Sequence, residues 1–365
     1  MEGHDTMNQR STYWLAAAGL LVAMLALGIG FVALVRAADS ASPSAANGMG
    51  MPMSGSRSMM EHMAPAPMGD VRDARATQGG QPLPHVVDGD VWVFTLEATP
   101  VRWEVLPGVR VTAWTYNGVV PGPEIRVPYG QRVRIVVENR LPADTTVHWH
   151  GIDVPNAMDG VPGVTQDPIA PGGSFTYEFD AVPAGRDSGG GTFLYHSHVD
   201  EDRQFGLGLS GAFVIEPKKP ERYDVEKTVV IQEWNLSPST GATRPAMEME
   251  GMLPNYFTLN GKSYPATETV AVKRGQRVLF RLVGAGSLSH PMHLHGTDFT
   301  VVAKDGHPLA APFQADVIQV GSGERYDIAF TFDRPGKWVF HCHIGHHLTN
   351  DGADPGGLLM VVDVT

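Results

Sequence analysis

The clearest pattern in the chain is a series of short apolar segments separated by turn residues, which starts near residue 85. Residues 91–96, 132–137 and 211–215 are rich in β-branched and aromatic side chains and are flanked by turn residues, which predicts strands. A second series begins near Asn255 and predicts strands at residues 270–272, 277–283, 326–330 and 358–364. No long amphipathic helix is predicted after residue 40, so the pattern predicts an all-β fold.

The two halves of the chain resemble each other. Residues 127–133 are similar to residues 272–278, and the offset between the two segments is 145 residues. The same offset carries one histidine pair onto another, His148 and His150 onto His293 and His295. A strand and a histidine pair therefore repeat in register. This predicts an internal duplication of a Greek-key β-sandwich, with the two domains at residues 85–220 and 221–365.

The N-terminal part has a different composition. Residues 14–35 form an apolar stretch of 22 residues without a charged side chain. A signal-peptide core has about 7–15 apolar residues and a spanning helix about 20, so residues 1–37 are predicted to be a membrane anchor with an apolar helix. The alternative is an export signal that is cleaved after Ala37. Residues 38–84 are mostly Ala, Ser, Gly, Pro and Met, which predicts a flexible, disordered linker rich in methionine.

Composition narrows the class of protein further. Gly (42 residues) and Pro (28 residues) are abundant and charged residues make up 18% of the chain, which suits many short strands joined by turns. The formal net charge of −12 argues against nucleic acid and anionic membrane surfaces as partners, and weakly favours cationic substrates. The chain has one cysteine and therefore cannot form an intrachain disulfide.

That cysteine, Cys342, lies between His341 and His343. A thiolate with two imidazoles is the ligand set of a blue-copper electron-transfer site, although a lone cysteine can also be a free reactive thiol. In a strand, residues i and i+2 face the same side, so each His-x-His pair points two imidazoles into one cavity. In this segment the middle residue is the thiol, which predicts one metal site on each face of the strand. The other histidines of the set are His148, His150, His196, His198, His290, His293, His295 and His347.

Five segments together resemble the multicopper oxidases, the laccase-like family, over roughly residues 85–365. They are His148-Trp149-His150-Gly151, residues 159–169, Tyr195-His196-Ser197-His198, residues 290–296 and residues 338–344. The resemblance implies cupredoxin domains and about four coppers per chain. It assigns His290, Cys342 and His347 to a type 1 copper and leaves out His346. The type 2 copper takes His148 and His293, and the type 3 pair takes His150, His196, His198, His295, His341 and His343.

Two further roles follow from the resemblance. The axial position of the type 1 copper falls to Leu358, which does not coordinate, with Met360 as the alternative because it shares a strand face with Leu358. A polar insertion at residues 349–355 lengthens the loop before this strand. Asp159 matches an acidic residue near the other coppers that orients water or relays protons, and Cys342 conducts the electrons.

The resemblance implies an enzyme that couples one-electron oxidation of a small substrate to the four-electron reduction of O2 to water. The substrate is a phenol, an aromatic amine or a metal ion such as Cu(I). Methionines of the linker and of residues 247–252 are soft ligands suited to Cu(I), or are incidental. Family members with two domains form trimers, so a homotrimer is expected. The expected location is the periplasmic or other extracytoplasmic side of a bacterial cell envelope, anchored to the inner membrane.

Two alternatives remain from the residues alone. Copper nitrite reductases also have two cupredoxin domains, but their type 1 site is in the first domain, and the first half of this chain has no cysteine. A non-catalytic copper-binding or copper-resistance protein is the other alternative. Such a protein would not need both a thiolate site and eight further histidines.

Overall fold

The computed structural model describes residues 64–66, 71–185, 189–247 and 252–365. The predicted anchor and most of the predicted linker lie outside the described residues, as does Met249. Every described residue belongs to one compact unit, Arg57–Thr365. Within this described part, no helix has the length and apolar character needed to cross a bilayer.

The first half of the described chain forms two sheets around one core. Their shared core contains Phe94, Ile135, Tyr195 and Phe213, which come from both sheets. One sheet contains β1 (Arg72–Asp73), β2 (Val86–Asp88), β3 (Val91–Leu106), β4 (Val109–Tyr116), β6 (Arg132–Asn139) and β8 (Ser174–Asp180). The other contains β5 (Gly122–Pro128), β7 (His148–His150), β9 (Gly191–His196) and β10 (Ser210–Glu216) in the order β5-β10-β9-β7. We call this the first sandwich.

The second half repeats this arrangement as the second sandwich, with a core that includes Phe280, Phe340 and Val362. One sheet contains β11 (Val225–Leu236), β12 (Thr243–Arg244), β13 (Tyr256–Leu259), β15 (Arg277–Gly284), β17 (Phe299–Lys304), β18 (His307–Ala315) and β20 (Arg325–Thr331). The other contains β14 (Thr269–Val272), β16 (His290–Leu294), β19 (Val317–Val320), β21 (Gly336–Cys342) and β22 (Leu359–Val364), in the order β14-β22-β21-β16-β19.

Helix is scarce in the described residues. One four-residue α-helix, α1 (Glu201–Gln204), follows β9, and two 3-10 turns lie at Asn156–Met158 and Gly345–Leu348. The prediction of an all-β fold is therefore confirmed. Each strand predicted from the sequence is present, and several are longer than predicted.

Alternation explains why these segments form strands. In β6, Val133, Ile135 and Val137 are buried, and the residues between them face outward. Arg132 and Arg134 on the outer face pair with Glu178 of the neighbouring strand β8. Strand β9 is instead buried along its whole length. It packs on one side within the first sandwich and on the other against the second, where Leu194 belongs to a buried apolar cluster with Val230 and Val283.

The internal repeat is visible in the strands. Both bounds of β6 lie 145 residues before the bounds of β15, and β9 begins at Gly191, 145 residues before Gly336 of β21. The same offset places Ser197 at the position of Cys342. The two sandwiches are joined by polar contacts as well as apolar ones: Thr192 of β9 donates a hydrogen bond to Asp327 of β20, which pairs with Arg281.

Candidate metal centres

Strands β16 and β21 carry two groups of potential ligands on opposite faces. In their antiparallel register, Met292 lies opposite Cys342 and His293 lies opposite His341. Directly opposite residues of an antiparallel pair point to the same face, and successive residues point to opposite faces. Cys342 therefore points into the core of the second sandwich, whereas His341 and His293 point to the other side. This is the two-faced arrangement that the His-x-His spacing predicted.

The buried face brings His290, Cys342 and His347 together, as the sequence analysis expected. The Nδ1 atoms of the two histidines are 3.1 Å apart and lie 3.9 Å (His290) and 3.4 Å (His347) from Cys342 Sγ. Two donor atoms on one metal ion are about 3–4 Å apart, because metal–nitrogen and metal–sulfur bonds are about 2.0 and 2.3 Å long. The three donors thus fit a single ion, and a thiolate with two imidazoles suits copper. We call these three residues the thiolate centre.

Burial keeps His347 and Cys342 uncharged without a metal. It lowers the pKa of His347 to about 3, so the ring is neutral at physiological pH and can bind a cation. Burial, with a smaller contribution from the nearby charge of Glu233, raises the pKa of the Cys342 thiol to about 11. A metal ion therefore has to displace the thiol proton when it binds.

Glu233 is a buried carboxylate beside this centre. Its Oε1 lies 3.3 Å from His290 Nε2 and accepts a hydrogen bond of 2.6 Å from the backbone N–H of Leu288. Because a carboxylate only accepts, Nε2 of His290 carries the proton, which leaves Nδ1 free for a metal. The side chain of Glu233 is 1% exposed, and its second oxygen, Oε2, has no hydrogen-bond partner among the described residues.

Leu358 flanks the thiolate centre through its backbone. Its N–H donates to the carbonyl of His347 (2.9 Å), and its carbonyl accepts from the N–H of Cys342 (3.0 Å). Met360 lies two residues after Leu358 in the chain and is opposite Phe340 of β21. Both side chains are fully buried. Met292, which the sequence analysis did not single out, is also fully buried and lies opposite Cys342 on the other neighbouring strand.

The other face of β16 and β21 carries a set of four histidines. Donor atoms of His293, His295 and His341 lie within 4.8 Å of one another, and the ring of His343 is 5.7 Å from that of His293. The Nε2 atoms of His295 and His341 are 3.0 Å apart, the spacing of two ligands on one ion. Nδ1 of His293 donates to the carbonyl of Asp316 and Nδ1 of His341 to that of Cys342. Both Nε2 atoms are therefore unprotonated and able to bind a metal.

The first sandwich carries a matching set. Donor atoms of His148, His150 and His196 lie within 4.8 Å of one another, and the ring of His198 is 5.6 Å from that of His148. Nδ1 of His148 donates to the carbonyl of Asp159 and Nδ1 of His196 to that of Ser197, so the Nε2 atoms again remain free. Burial lowers the pKa of His196 to about 3 and that of His150 to about 4, which keeps both rings neutral.

The two sets lie apart within one chain. Among the described residues, ring contacts join histidines within each set, and none joins a histidine of one set to a histidine of the other. The second set is open: His295 and His343 are exposed. Each sandwich therefore presents half of the eight histidines that the resemblance assigns to one cluster of coppers.

Acidic side chains lie beside the first set. The Asp159 carboxylate is 3.4 Å from His148 Nδ1, so the structure places this predicted residue next to a predicted ligand. Glu201 of α1 lies 3.8 Å from His196 and 3.9 Å from His198. The sequence analysis assigned no role to Glu233. The only sign of Glu233 in the sequence is that a charged residue interrupts the apolar run of β11. Its contact with His290 could not be predicted locally, because the two residues are 57 positions apart.

A buried thiol with two imidazoles on one face of a strand pair, and histidines on the other face, fits a copper-binding β-sandwich protein. Profiles of the multicopper oxidase family match residues 97–220 and 236–353. The chain therefore belongs to the multicopper oxidase family, whose members use copper.

Similar proteins agree with this assignment. The chain is 34% identical to multicopper oxidase MmcO of Mycobacterium tuberculosis, over 68% of this chain and 53% of that protein. It is 28% identical to copper resistance protein A of Pseudomonas syringae pv. tomato, over 68% of this chain and 47% of that protein. It thus spans about half the length of these curated relatives.

A solved structure, the blue copper oxidase from Nitrosomonas europaea, matches with a TM-score of 0.68 and 33% identity, over 74% of this chain and 85% of that chain. The resemblance to the multicopper oxidases and the expected cupredoxin fold are confirmed.

Proposed function

We propose that this protein is a laccase-like copper oxidase that takes single electrons from a small reducing substrate at the thiolate centre and reduces O2 to water at the histidine sets. The observation that carries the proposal is the shared strand β21. Cys342 on one face and His341 on the other are adjacent residues, so the two centres are joined by a short covalent path.

Copper would supply the one-electron redox chemistry at both centres, with His290, Cys342 and His347 as type 1 ligands. His148 and His293 would hold the type 2 ion, and the remaining histidines would hold the type 3 pair. The protein's own residues orient these donors: backbone carbonyls hold the Nδ1 atoms of His148, His196, His293 and His341. Asp159, beside His148, would hold or transfer a proton during O2 reduction.

Spectroscopy and metal analysis test the proposal. The copper-loaded protein is expected to have an intense blue absorption and about four coppers per chain. Cys342→Ser should remove the colour and the oxidase activity and keep copper at the histidine sets, whereas His293→Ala should keep the colour and lose O2 consumption. A Cys342→Ser protein that stays blue would contradict the type 1 assignment. About two coppers per chain together with nitrite turnover would favour the nitrite reductase alternative.

The separation of the two histidine sets supports a homotrimer in which each cluster is shared. Because each sandwich carries four of the eight histidines, one subunit's first sandwich would meet the next subunit's second sandwich, where His295 and His343 are exposed. Head-to-tail contacts of this kind close into a ring. Neither half-set alone provides the type 2 and type 3 ligands.

Mixing inactive variants tests the shared cluster. His148→Ala and Cys342→Ser chains, refolded together, should regain part of the oxidase activity, because some interfaces then combine an intact first sandwich with an intact second one. Each variant refolded alone is the control. No recovery in the mixture, or full activity of a chain shown by light scattering to be monomeric, would contradict the arrangement.

The reducing substrate is a phenol, an aromatic amine or a metal ion. The names of the relatives include both laccases and a copper resistance protein, which supports testing phenols and Cu(I) side by side. Met252, one of the methionines considered as a soft ligand, is 1% exposed, so it does not offer its thioether at the surface. Steady-state oxidation of Cu(I), Mn(II), Fe(II) and a phenol by the loaded protein would rank the substrates.

An extracytoplasmic location, with residues 1–37 as an anchor to the inner membrane, completes the proposal. The apolar stretch at residues 14–35 supports it. Fractionation of cells that express the full chain should place the oxidase with the membrane. A chain that begins at residue 38, fused to a cleavable export signal, should appear in the soluble periplasmic fraction.

A further inference from the structure

The two sandwiches also meet beside the first histidine set. Gly323, in the turn that precedes β20, lies against the ring of His150, because a Cβ at Gly323 would be 3.2 Å from His150 Cε1. The φ angle of Gly323 is 73°, so both its backbone conformation and this close approach require glycine. A proposed copper ligand of the first sandwich therefore contacts the second sandwich of its own chain.

Arg325 follows at the start of β20 and is buried at this contact. Its side chain is 4% exposed. The guanidinium reaches the backbone next to His150, since a Cβ at Gly151 would lie 2.8 Å from Arg325 Nη2. Nη1 of Arg325 donates a hydrogen bond to the carbonyl of Gly323. The guanidinium is thus held between the residue that follows His150 in the chain and the residue that packs against its ring.

Asp305 offsets part of this positive charge. Its Oδ1 lies 3.6 Å from Arg325 Nη1 and accepts a hydrogen bond of 3.0 Å from the backbone N–H of Arg325. Glu324, the neighbouring acid, pairs with Lys304 at 2.7 Å. A separation of 3.6 Å is longer than in a hydrogen-bonded ion pair, so a net positive charge remains beside His150.

The charges around His150 act on it in the directions that this geometry requires. The pKa of His150 is lowered to about 4 by burial and, to a smaller extent, by the positive charge of Arg325, while the charge of Asp305 opposes the shift. A positive charge beside a metal-bound ring also disfavours the metal cation. It disfavours Cu(II) more than Cu(I), because Cu(II) carries the higher charge.

We propose that Arg325 is a positioning residue for His150 whose charge makes the copper bound by His150 easier to reduce. This inference rests on the proposed oxidase function, in which His150 is a type 3 ligand. Reduction there is a one-electron step, in which the thiolate centre gives up one electron and Cu(II) beside His150 becomes Cu(I). The guanidinium undergoes no chemical change. Its charge comes from the second sandwich, so the packing of the two sandwiches within a chain influences the potential of this copper.

An anaerobic electron titration of the copper-loaded protein tests the proposal. A reductant is added in steps, and the blue absorption shows how many electrons each chain has taken up when the thiolate centre is reduced. We expect Arg325→Met to lose its blue absorption after fewer electrons than the wild type, because the copper beside His150 then competes less well for them. The expected change is about tenfold in the equilibrium constant for sharing one electron, or about 59 mV.

Asp305→Asn should shift the titration in the opposite direction. The φ angle of Asp305 is 52°, a conformation that asparagine adopts readily, and the amide oxygen can still accept from the N–H of Arg325. This variant removes the charge that opposes Arg325, so its blue absorption should persist until more electrons have been added. Arg325→Lys keeps a positive charge and should behave more like the wild type than Arg325→Met does.

The control is Lys304→Met, which removes a positive charge from the same turn at a side chain that is 40% exposed. It should leave the titration unchanged, because solvent screens an exposed charge. Metal analysis should find about four coppers per chain in each variant. If Arg325→Met loses copper, the direction of the Asp305→Asn shift decides.

Shifts in the same direction for Arg325→Met and Asp305→Asn, or no shift in either, would overturn the proposal. An Arg325→Lys variant that shifts as far as Arg325→Met would also overturn it, because packing rather than charge would then be responsible. A wild-type protein without blue absorption would instead overturn the oxidase function itself.

Discussion

Ser197 occupies in the first sandwich the position that Cys342 occupies in the second. Each is fully buried and lies between two histidines at the end of a strand, and 145 residues separate them. The hydroxyl oxygens of Ser197 and Thr145 are 3.2 Å apart, and both donate to Oε1 of Gln204. The offset that relates Ser197 to Cys342 also relates Thr145 to His290. A hydrogen-bonded polar triad therefore stands where the second sandwich has its thiolate centre.

This triad should position the histidines on either side of Ser197. We expect Ser197→Ala to lower the free energy of unfolding by about 1–3 kcal/mol, because Gln204 and Thr145 then lose a buried partner. Copper affinity at the neighbouring His196 and His198 should fall as well. Replacing a residue that supports metal ligands typically lowers metal affinity about 10- to 100-fold. Urea unfolding and copper titration would measure both, with the exposed Ser174→Ala as control. A variant that loses neither stability nor affinity would contradict this role.

Glu233 should lower the reduction potential of the thiolate centre. A carboxylate that accepts the His290 Nε2–H makes the ring a stronger donor and stabilises the more highly charged Cu(II). Glu233→Gln removes the charge and keeps the shape, so we expect a higher potential in a redox titration of the blue absorption.

Gly286→Ala provides a second test of Glu233. A Cβ at Gly286 would lie 1.4 Å from Glu233 Oε2, so this substitution must displace the carboxylate and should also raise the potential. A potential unchanged in both variants would show that the carboxylate has no influence on the metal.

Leu358 is expected to leave the axial position without a ligand. Leu358→Met would bring a thioether next to Cys342, and a coordinating thioether stabilises Cu(II), so the potential should fall. Met360→Leu is the matched control and should change little, because Met360 lies opposite Phe340. The same redox titration decides the assignment. A larger effect of Met360→Leu would identify Met360 as the axial residue.

The ion pair between Arg281 and Asp327 lies within the second sandwich, contacts Thr192 of the first sandwich and should be costly to break. Asp327 is buried, and burial raises its pKa despite a contact of 2.6 Å with Arg281. Arg281→Met leaves this carboxylate without its partner, and we expect a loss of about 3–5 kcal/mol of stability in urea unfolding. The double variant Arg281→Met/Asp327→Leu removes both charges and should recover most of the loss. No recovery would show that the arginine acts mainly through its other contacts.

The metal-free protein should lose stability as the pH falls below about 6.5. Histidines of the unfolded chain take up protons near pH 6.5, whereas burial holds the pKa of His347 and His196 at about 3 in the folded protein. Between these values the unfolded state binds more protons, so the free energy of unfolding decreases with falling pH. Urea unfolding at pH 7 and pH 5 measures this. His347→Gln should show a smaller decrease than the wild type, and an equal decrease would contradict the assignment.

Local pattern was enough for much of the fold and for the ligands carried by single strands. Short runs rich in β-branched and aromatic residues, bounded by turn residues, predicted β6, β15 and β20. The two-residue period of a β-strand predicted that Cys342 and its flanking histidines face opposite sides of one strand. The 145-residue offset revealed the duplication, since both copies keep the strand and the histidine pair in register.

Long-range packing decided the rest. The contact between His290 and His347 joins residues 57 positions apart, and the resemblance, rather than any local pattern, led to that pair. The sequence by itself determined that eight histidines and one thiol lie on β-strands or within two residues of their ends. Only the tertiary structure decided that a single chain holds the histidines as two separate sets, that Glu233 lies behind His290, and that His347 is buried beneath an exposed His346. Burial and distance depend on how the sheets pack, and a period of two residues carries no information about that packing.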